Sequence, residues 1–234
     1  LGFSGTQTGV IYSLLPLATI ISPFVGGQLA DRYFAAQKVI AILQFLGGAL
    51  MFYIARVTDY STMMWLMLLY CLLYAPTLSL TNAVAFINLD NSEKDFGPIR
   101  VGGTFGWIAA GLALSGWRMT SQSGGAPAIA GDTLILGGIV SMIMGVHSFT
   151  LPNTPPNKQG KSPWAFLEAL SMFKDKNFAV FMIISFVVST ELMFYYVLTA
   201  PFLTSDKIGI SGSTVSGIMV IAQVAEIFVM AFLL

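Results

Sequence analysis

Glu226 stands inside the apolar run Val220–Phe228, with Gln223 three residues before it. Positions i and i+3 share one face of a helix, so carboxyl and amide sit side by side. Ionisable residues within a membrane span are costly and are functional candidates for that reason. A carboxyl in this setting suits a proton carrier, and the neighbouring amide offers both a donor and an acceptor. The bland alternative is a buried Glu paired with a basic group for structure alone.

A second set lies earlier in the chain. Thr104 and Trp107 follow Arg100 at i+4 and i+7, again on one helical face. Cation, hydroxyl and aromatic plate together make a ligand wall, and the neighbouring Gly102, Gly103 and Gly106 allow close helix approach. Arg100 could equally snorkel to headgroups from the start of its span. Glu191 sits midway along a further apolar run, with Tyr195 and Tyr196 beyond it, and functional and structural readings are even. Thr77, Ser79, Thr81, Asn82 and Asn88 give another span a polar stripe that either lines a cavity or bonds helices together. His147 has no second His or Cys at ligand spacing, and Cys71 lies alone in an apolar run. GGTFG (102–106) lacks the Lys-Ser/Thr of a phosphate loop. No metal or other cofactor is expected, and no nucleophile–base pair points to an enzyme.

These residues need helices in lipid to hold them. Of 234 residues, 56% are hydrophobic and only 9% charged, against about a quarter charged in soluble domains. Mean hydropathy is +0.78. Apolar blocks of spanning length fall at 8–28, 39–57, 63–87, 101–117, 133–151, 178–203 and 214–234. They do not alternate as barrel strands do, so the expected fold is all-α, a polytopic membrane bundle of about seven transmembrane helices. Arg32, Lys38, Lys94, Arg100, Lys158, Lys161, Lys174 and Lys176 fall on one side; Arg56, Arg118 and Lys207 fall on the other. The richer side is read as cytoplasmic. No basic stripe suggests nucleic acid. Residues 152–177 break the pattern: a Pro-rich polar stretch, then an amphipathic segment with Trp164, Phe166, Leu167, Leu170 and Phe173, expected as a helix at the cytoplasmic interface. This linker divides residues 1–151, most of one bundle, from 178–234, the start of another. Both chain ends read as cut from something longer.

GGQLADRYFAAQK (Gly26–Lys38) resembles the cytoplasmic loop motif of the major facilitator superfamily, carried here by Gly26, Asp31 and Arg32. That register makes the spans helices two to eight of twelve. APTLSLTNAVAF (75–86), FGPIRVGGTFGW (96–107), FTLPNTP (149–155), FKDKNFAVFMIISFVVSTEL (173–192) and IMVIAQVAEIFVM (218–230) resemble the bacterial nucleoside:proton symporters. The resemblance implies proton-coupled nucleoside transport by alternating access across the bacterial cytoplasmic membrane. It places Arg100, Thr104, Gln223 and Glu226 around a central nucleoside cavity, with Trp107 stacking on the base. Glu226, with Glu191 as a second candidate, would carry the proton. The family presents Gln and Asn where this chain has Met193 and Tyr196. Tyr196 then takes a place on the substrate wall, and a same-fold symporter of a sugar or other small polar solute is the alternative.

Overall fold

The computed structural model describes residues 2–22, 33–122, 131–156 and 171–233. Among them are seven α-helices: α1 (Gly5–Ser22), α2 (Ala36–Ile54), α3 (Tyr60–Asn88), α4 (Ser92–Gln122), α5 (Asp132–Ser148), α6 (Lys176–Leu203) and α7 (Val215–Leu233). A single 3-10 turn, Met172–Lys174, precedes α6. No strand occurs among the described residues.

By length and composition, α2, α3, α6 and α7 can each cross a membrane, and α5 is apolar but shorter. In α1 the polar Thr6, Gln7, Thr8 and Ser13 dilute the apolar content. In α4 the dilution comes from Glu93, Lys94, Asp95 and Arg100 together with its glycines. The expected fourth span began at residue 101. The helix in fact starts at Ser92 and passes through Pro98, so Arg100 is an interior helical residue rather than a helix opener. Helix starts elsewhere follow local chemistry. Asp59 accepts a hydrogen bond from the Thr62 amide at 2.8 Å, and Asp175 accepts one from Phe178 at 2.9 Å. Each satisfies an orphan N–H of a first turn. The Thr62 bonds also hold the Asp59 carboxyl below the usual carboxylate range.

Helices α1, α2, α3 and α5 form one packed group. Leu14 and Ala18 of α1 meet Cys71 and Ala75 of α3. Ala36, Val39 and Ile40 of α2 meet Leu80 and Val84 of α3. Lipid is as apolar as these side chains, so helices in a bilayer associate through close packing and interhelical hydrogen bonds. Both occur here. A Cβ on Gly138 of α5 would lie 2.9 Å from the Phe52 ring, and one on Gly48 would lie 3.0 Å from the Gly138 carbonyl oxygen. Buried Gln44 donates to buried Thr77 at 3.3 Å. Thr77 is thus interhelical glue, while Asn82 of the same stripe is exposed.

The chain leaving α5 doubles back as a strap. Thr154 is buried. Its amide donates to Gln37 Oε1 at 3.0 Å, and its carbonyl accepts from the Ala36 amide at 3.0 Å. Gln37 Nε2 donates to Asn153 Oδ1 at 2.7 Å, and Asn88 Nδ2 donates to Thr154 Oγ1 at 2.9 Å. This ties Asn153 and Thr154 to the first turn of α2 and the last residue of α3. The loop residues Gly26, Asp31 and Arg32 and the amphipathic stretch from Trp164 to Leu170 lie outside the described residues.

Candidate functional site

Helix α4 touches the first group only near its ends and packs along α7. Small residues set the approach. A Cβ on Gly111 would lie 2.8 Å from Val220 Cγ2 and 3.2 Å from the Ser216 carbonyl oxygen, and one on Gly217 would lie 3.1 Å from Ser115 Oγ. The two helices run antiparallel. Ser115 donates to the Ser213 carbonyl at 2.9 Å at the end of the seam remote from the strap. There Arg118 closes a cluster. Its Nε and Nη2 donate to the two carboxylate oxygens of Asp132 at 2.5 and 2.8 Å, Nη2 also reaches Thr133 Oγ1 at 3.0 Å, and Nη1 reaches the Gly212 carbonyl at 3.4 Å. Such a bidentate pair is among the stronger polar contacts. The Arg118 guanidinium holds the Asp132 carboxyl below its ordinary value, chiefly through these hydrogen bonds. Sequence reasoning counted Arg118 only as a loop charge and passed over Asp132. The available signal was a pair of opposite charges flanking one loop between consecutive spans.

Towards the other end of the seam the same two helices flank a cavity of about 190 Å³, lined by Arg100, Gly103, Thr104, Trp107, Tyr196, Gln223 and Glu226. Three elements contribute. From α4, Arg100, Gly103 and Trp107 recur at helical spacing on one face, with Thr104 at its edge. Helix α6 brings Tyr196, and α7 brings Gln223 and Glu226. Thr104 is buried and donates to Glu226 Oε1 at 3.5 Å, a long contact that leaves room for adjustment. Gln223 is 8% exposed, and its Oε1 has no hydrogen-bond partner among the described residues. A buried acceptor left open is costly unless something donates to it. The rings of Trp107 and Tyr196 face each other at 5.5 Å and 46°, with Tyr195 edge-on behind Tyr196 at 5.5 Å.

The structure therefore gathers Arg100, Thr104, Trp107, Tyr196, Gln223 and Glu226 in one place. It does not bring Glu191 there: that side chain is exposed on α6 and is not part of the lining. Tyr195 lies four positions after Glu191, so the two share a face, but Tyr196 is the tyrosine that lines the cavity. His147 sits beside Thr150, with Nδ1 3.2 Å from its hydroxyl, as local hydrogen bonding at a helix end. Among the described residues no group of three or more His, Cys, Asp or Glu is placed to hold a metal ion.

This arrangement can hold a small planar solute. Two aromatic faces offer stacking. A guanidinium, a hydroxyl and an open amide oxygen offer directional hydrogen bonds, and a carboxyl lies at hydroxyl reach. The profile of the family described as Nucleoside H+ symporter matches residues 1–234. The chain is 40% identical to YegT of Escherichia coli (strain K12), covering 98% of this chain and 53% of YegT. It is 32% identical to the nucleoside permease NupG of the same organism, covering 97% of this chain and 56% of NupG. The crystal structure of the nucleoside transporter NupG superposes with a TM-score of 0.76 at 28% identity, over 99% of this chain and 58% of that one. A mutant form of NupG gives 0.77 at 29% identity, over 97% and 58%. The chain thus spans about half the length of the relatives it matches. With a profile match over every residue, and all-helical architecture shared with NupG, the chain belongs to the nucleoside H+ symporter family.

Proposed function

We propose that the whole protein carries nucleosides across the bacterial cytoplasmic membrane with protons, by alternating access between two helix bundles divided near residues 152–177. The observation that carries this reading is the single cavity in which Trp107 and Tyr196 face Arg100, Thr104, Gln223 and Glu226. A nucleoside has a flat heterocycle and a hydroxyl-rich ribose, and the cavity has a counterpart for each. Trp107 stacks on the base. Arg100, Thr104 and the open Gln223 Oε1 form hydrogen bonds with polar edges of the substrate. Glu226, within hydroxyl reach of Thr104, is the group that binds and releases the proton as the cavity changes sides. Exposed Phe181, Ile183, Phe186 and Phe194 on α6 suit a lipid-embedded protein.

The test is uptake of labelled nucleoside into vesicles holding the full-length protein. An imposed inward proton gradient is expected to drive accumulation, and equal uptake with and without the gradient would overturn the coupling. Glu226→Gln is expected to abolish gradient-driven accumulation while leaving exchange of internal for external nucleoside measurable. Full accumulation by Glu226→Gln would remove the proton role from this residue.

A further inference from the structure

Helix α6 gives the cavity one ring, Tyr196, and that ring stands against Trp107 of α4. The centroids are 5.5 Å apart and the planes are inclined at 46°. Two flat groups in contact lie about 3.5 Å apart. A base slotted between two rings therefore needs them about 7 Å apart and close to parallel. Trp107 and Tyr196 are too near each other and too steeply inclined for that. The gap between them holds no third ring.

The surroundings keep Tyr196 where it is. Tyr195 packs edge-on against it, with centroids at 5.5 Å and planes at 65°, so a swing of the Tyr196 ring disturbs a second ring as well. The cavity is also small. With Tyr196 in its lining it measures about 190 Å³, less than the roughly 300–1,000 Å³ of pockets that enclose drug-sized ligands. Arg100, Thr104, Gln223 and Glu226 carry its hydrogen-bonding groups, and a ribose needs that part. The base is left with the portion of Trp107 that Tyr196 does not cover. Trp107 is still 47% exposed, so such a portion exists.

We infer that Tyr196 is a specificity-determining residue: its ring occupies the place where the second ring of a purine would lie on Trp107, so the protein selects nucleosides with a one-ring base. This rests on the transport reading above and deepens it by naming the substrate class. A pyrimidine nucleoside brings the same ribose with a base one ring smaller, and it stacks on the uncovered part of Trp107 while Tyr196 stays in place. A purine has to push Tyr196 off Trp107, which breaks the ring pair and disturbs Tyr195 before stacking begins. Size mismatch in an apolar pocket discriminates by about 10–200-fold. Tyr196 can yield as a side chain without moving its helix, so the lower end of that range applies.

The experiment uses the full-length protein and initial uptake rates of labelled uridine and adenosine, normalised to the amount of protein in the membrane. Tyr196→Ala, Tyr196→Phe and Tyr196→Trp are measured beside Trp107→Ala. In the unmodified protein Vmax/KM for uridine should exceed that for adenosine about tenfold. Tyr196→Ala should bring the two within about twofold, Tyr196→Phe should keep the original ratio, and Tyr196→Trp should widen it. The Phe and Trp variants keep an aromatic side chain in place, so the trend stays readable if the Ala variant fails to reach the membrane. Equal use of both nucleosides by the unmodified protein overturns the inference. So does a ratio left unchanged by Tyr196→Ala and Tyr196→Trp, which would mean that the base stacks on the other face of Trp107. A preference lost in Tyr196→Phe would assign the discrimination to the hydroxyl and refute the role of the ring. Trp107→Ala separates the two levels of the reading. A raised KM for both nucleosides there, with an unchanged ratio in the Tyr196 variants, sinks the role of Tyr196 alone. Unchanged KM for both nucleosides in every variant sinks the assigned site, and the Tyr196 role with it.

Discussion

Gly111→Ala puts one methyl group into the α4–α7 seam and tests whether that seam is a gate. The added carbon would sit 2.8 Å from Val220 Cγ2 and 3.2 Å from the Ser216 carbonyl oxygen. Carbon atoms prefer separations of about 3.5–4.0 Å, so Val220 must retreat by about 0.7 Å or more. Rotating the Val220 side chain relieves only the first contact. Ser216 contributes backbone, and α7 itself has to move. Overpacking of this kind costs about 1–3 kcal/mol. If the structure is one of two alternating states, the cost falls on this state alone. The equilibrium between states then shifts by a factor of about 5–150 towards the one in which α4 and α7 have separated. Ser213, whose carbonyl accepts from Ser115 at the closed end, is the reporter. A Ser213→Cys protein otherwise free of reactive cysteine, with Cys71 replaced, should react slowly with an aqueous maleimide. Adding Gly111→Ala should accelerate the reaction by about the same factor and lower the rate of gradient-driven uptake. Unchanged labelling together with unchanged uptake would show that the seam does not open, and the gating argument would fail.

Two further predictions concern polar clusters at the two ends of the bundle. Because Arg118 holds the Asp132 carboxyl below its ordinary 3.8, the pair's contribution to stability is complete above that value and is lost as pH falls through the lowered one. Thermal unfolding of purified protein should show Arg118→Gln less stable by about 1 kcal/mol near neutral pH. The difference should shrink under strongly acidic conditions, and a constant difference across that range would argue against the pair. Gln37→Ala removes both amide bonds to Asn153 and Thr154, so limited proteolysis should cut residues 152–156 faster while α2 and α3 stay intact. An unaltered cleavage rate would mean that the strap holds without Gln37.

Lipid explains much of what was legible before any coordinates. It penalises each polar side chain, so Arg100, Thr104, Gln223 and Glu226 stood out against apolar neighbours. Helical spacing then placed Thr104 and Trp107 with Arg100. Tyr196 was different. A tyrosine among Met193, Phe194 and Tyr195 carries no signal of its own, and only the resemblance to a family picked it out. Glu191 had the same mid-span position as Glu226, but spacing within one helix does not say which face meets a partner. The start of α4 was misplaced because Glu93, Lys94 and Asp95 look like a loop when hydropathy is the guide. A helix can continue into water beyond the bilayer, where its charged first turn is solvated. The Arg118–Asp132 pair and the Gln37–Thr154 strap were illegible for another reason. Each joins residues from separate helices or loops, and the choice of partner is made by tertiary packing.

The strap also has a consequence for the order in which the protein is made. Ala35, before the first turn of α2, offers no side-chain cap. The first amide of the helix is satisfied instead by the carbonyl of Thr154, and Gln37 waits for a partner 117 residues downstream. During synthesis α2, α3, α4 and α5 all leave the ribosome before that partner exists. The first turn of α2 therefore lacks these partners until the chain has emerged past residue 154, and only then do α2 and α3 gain their shared closure. Closure of the packed group of α1, α2, α3 and α5 is thereby timed to the synthesis of Asn153 and Thr154, ahead of α6 and α7.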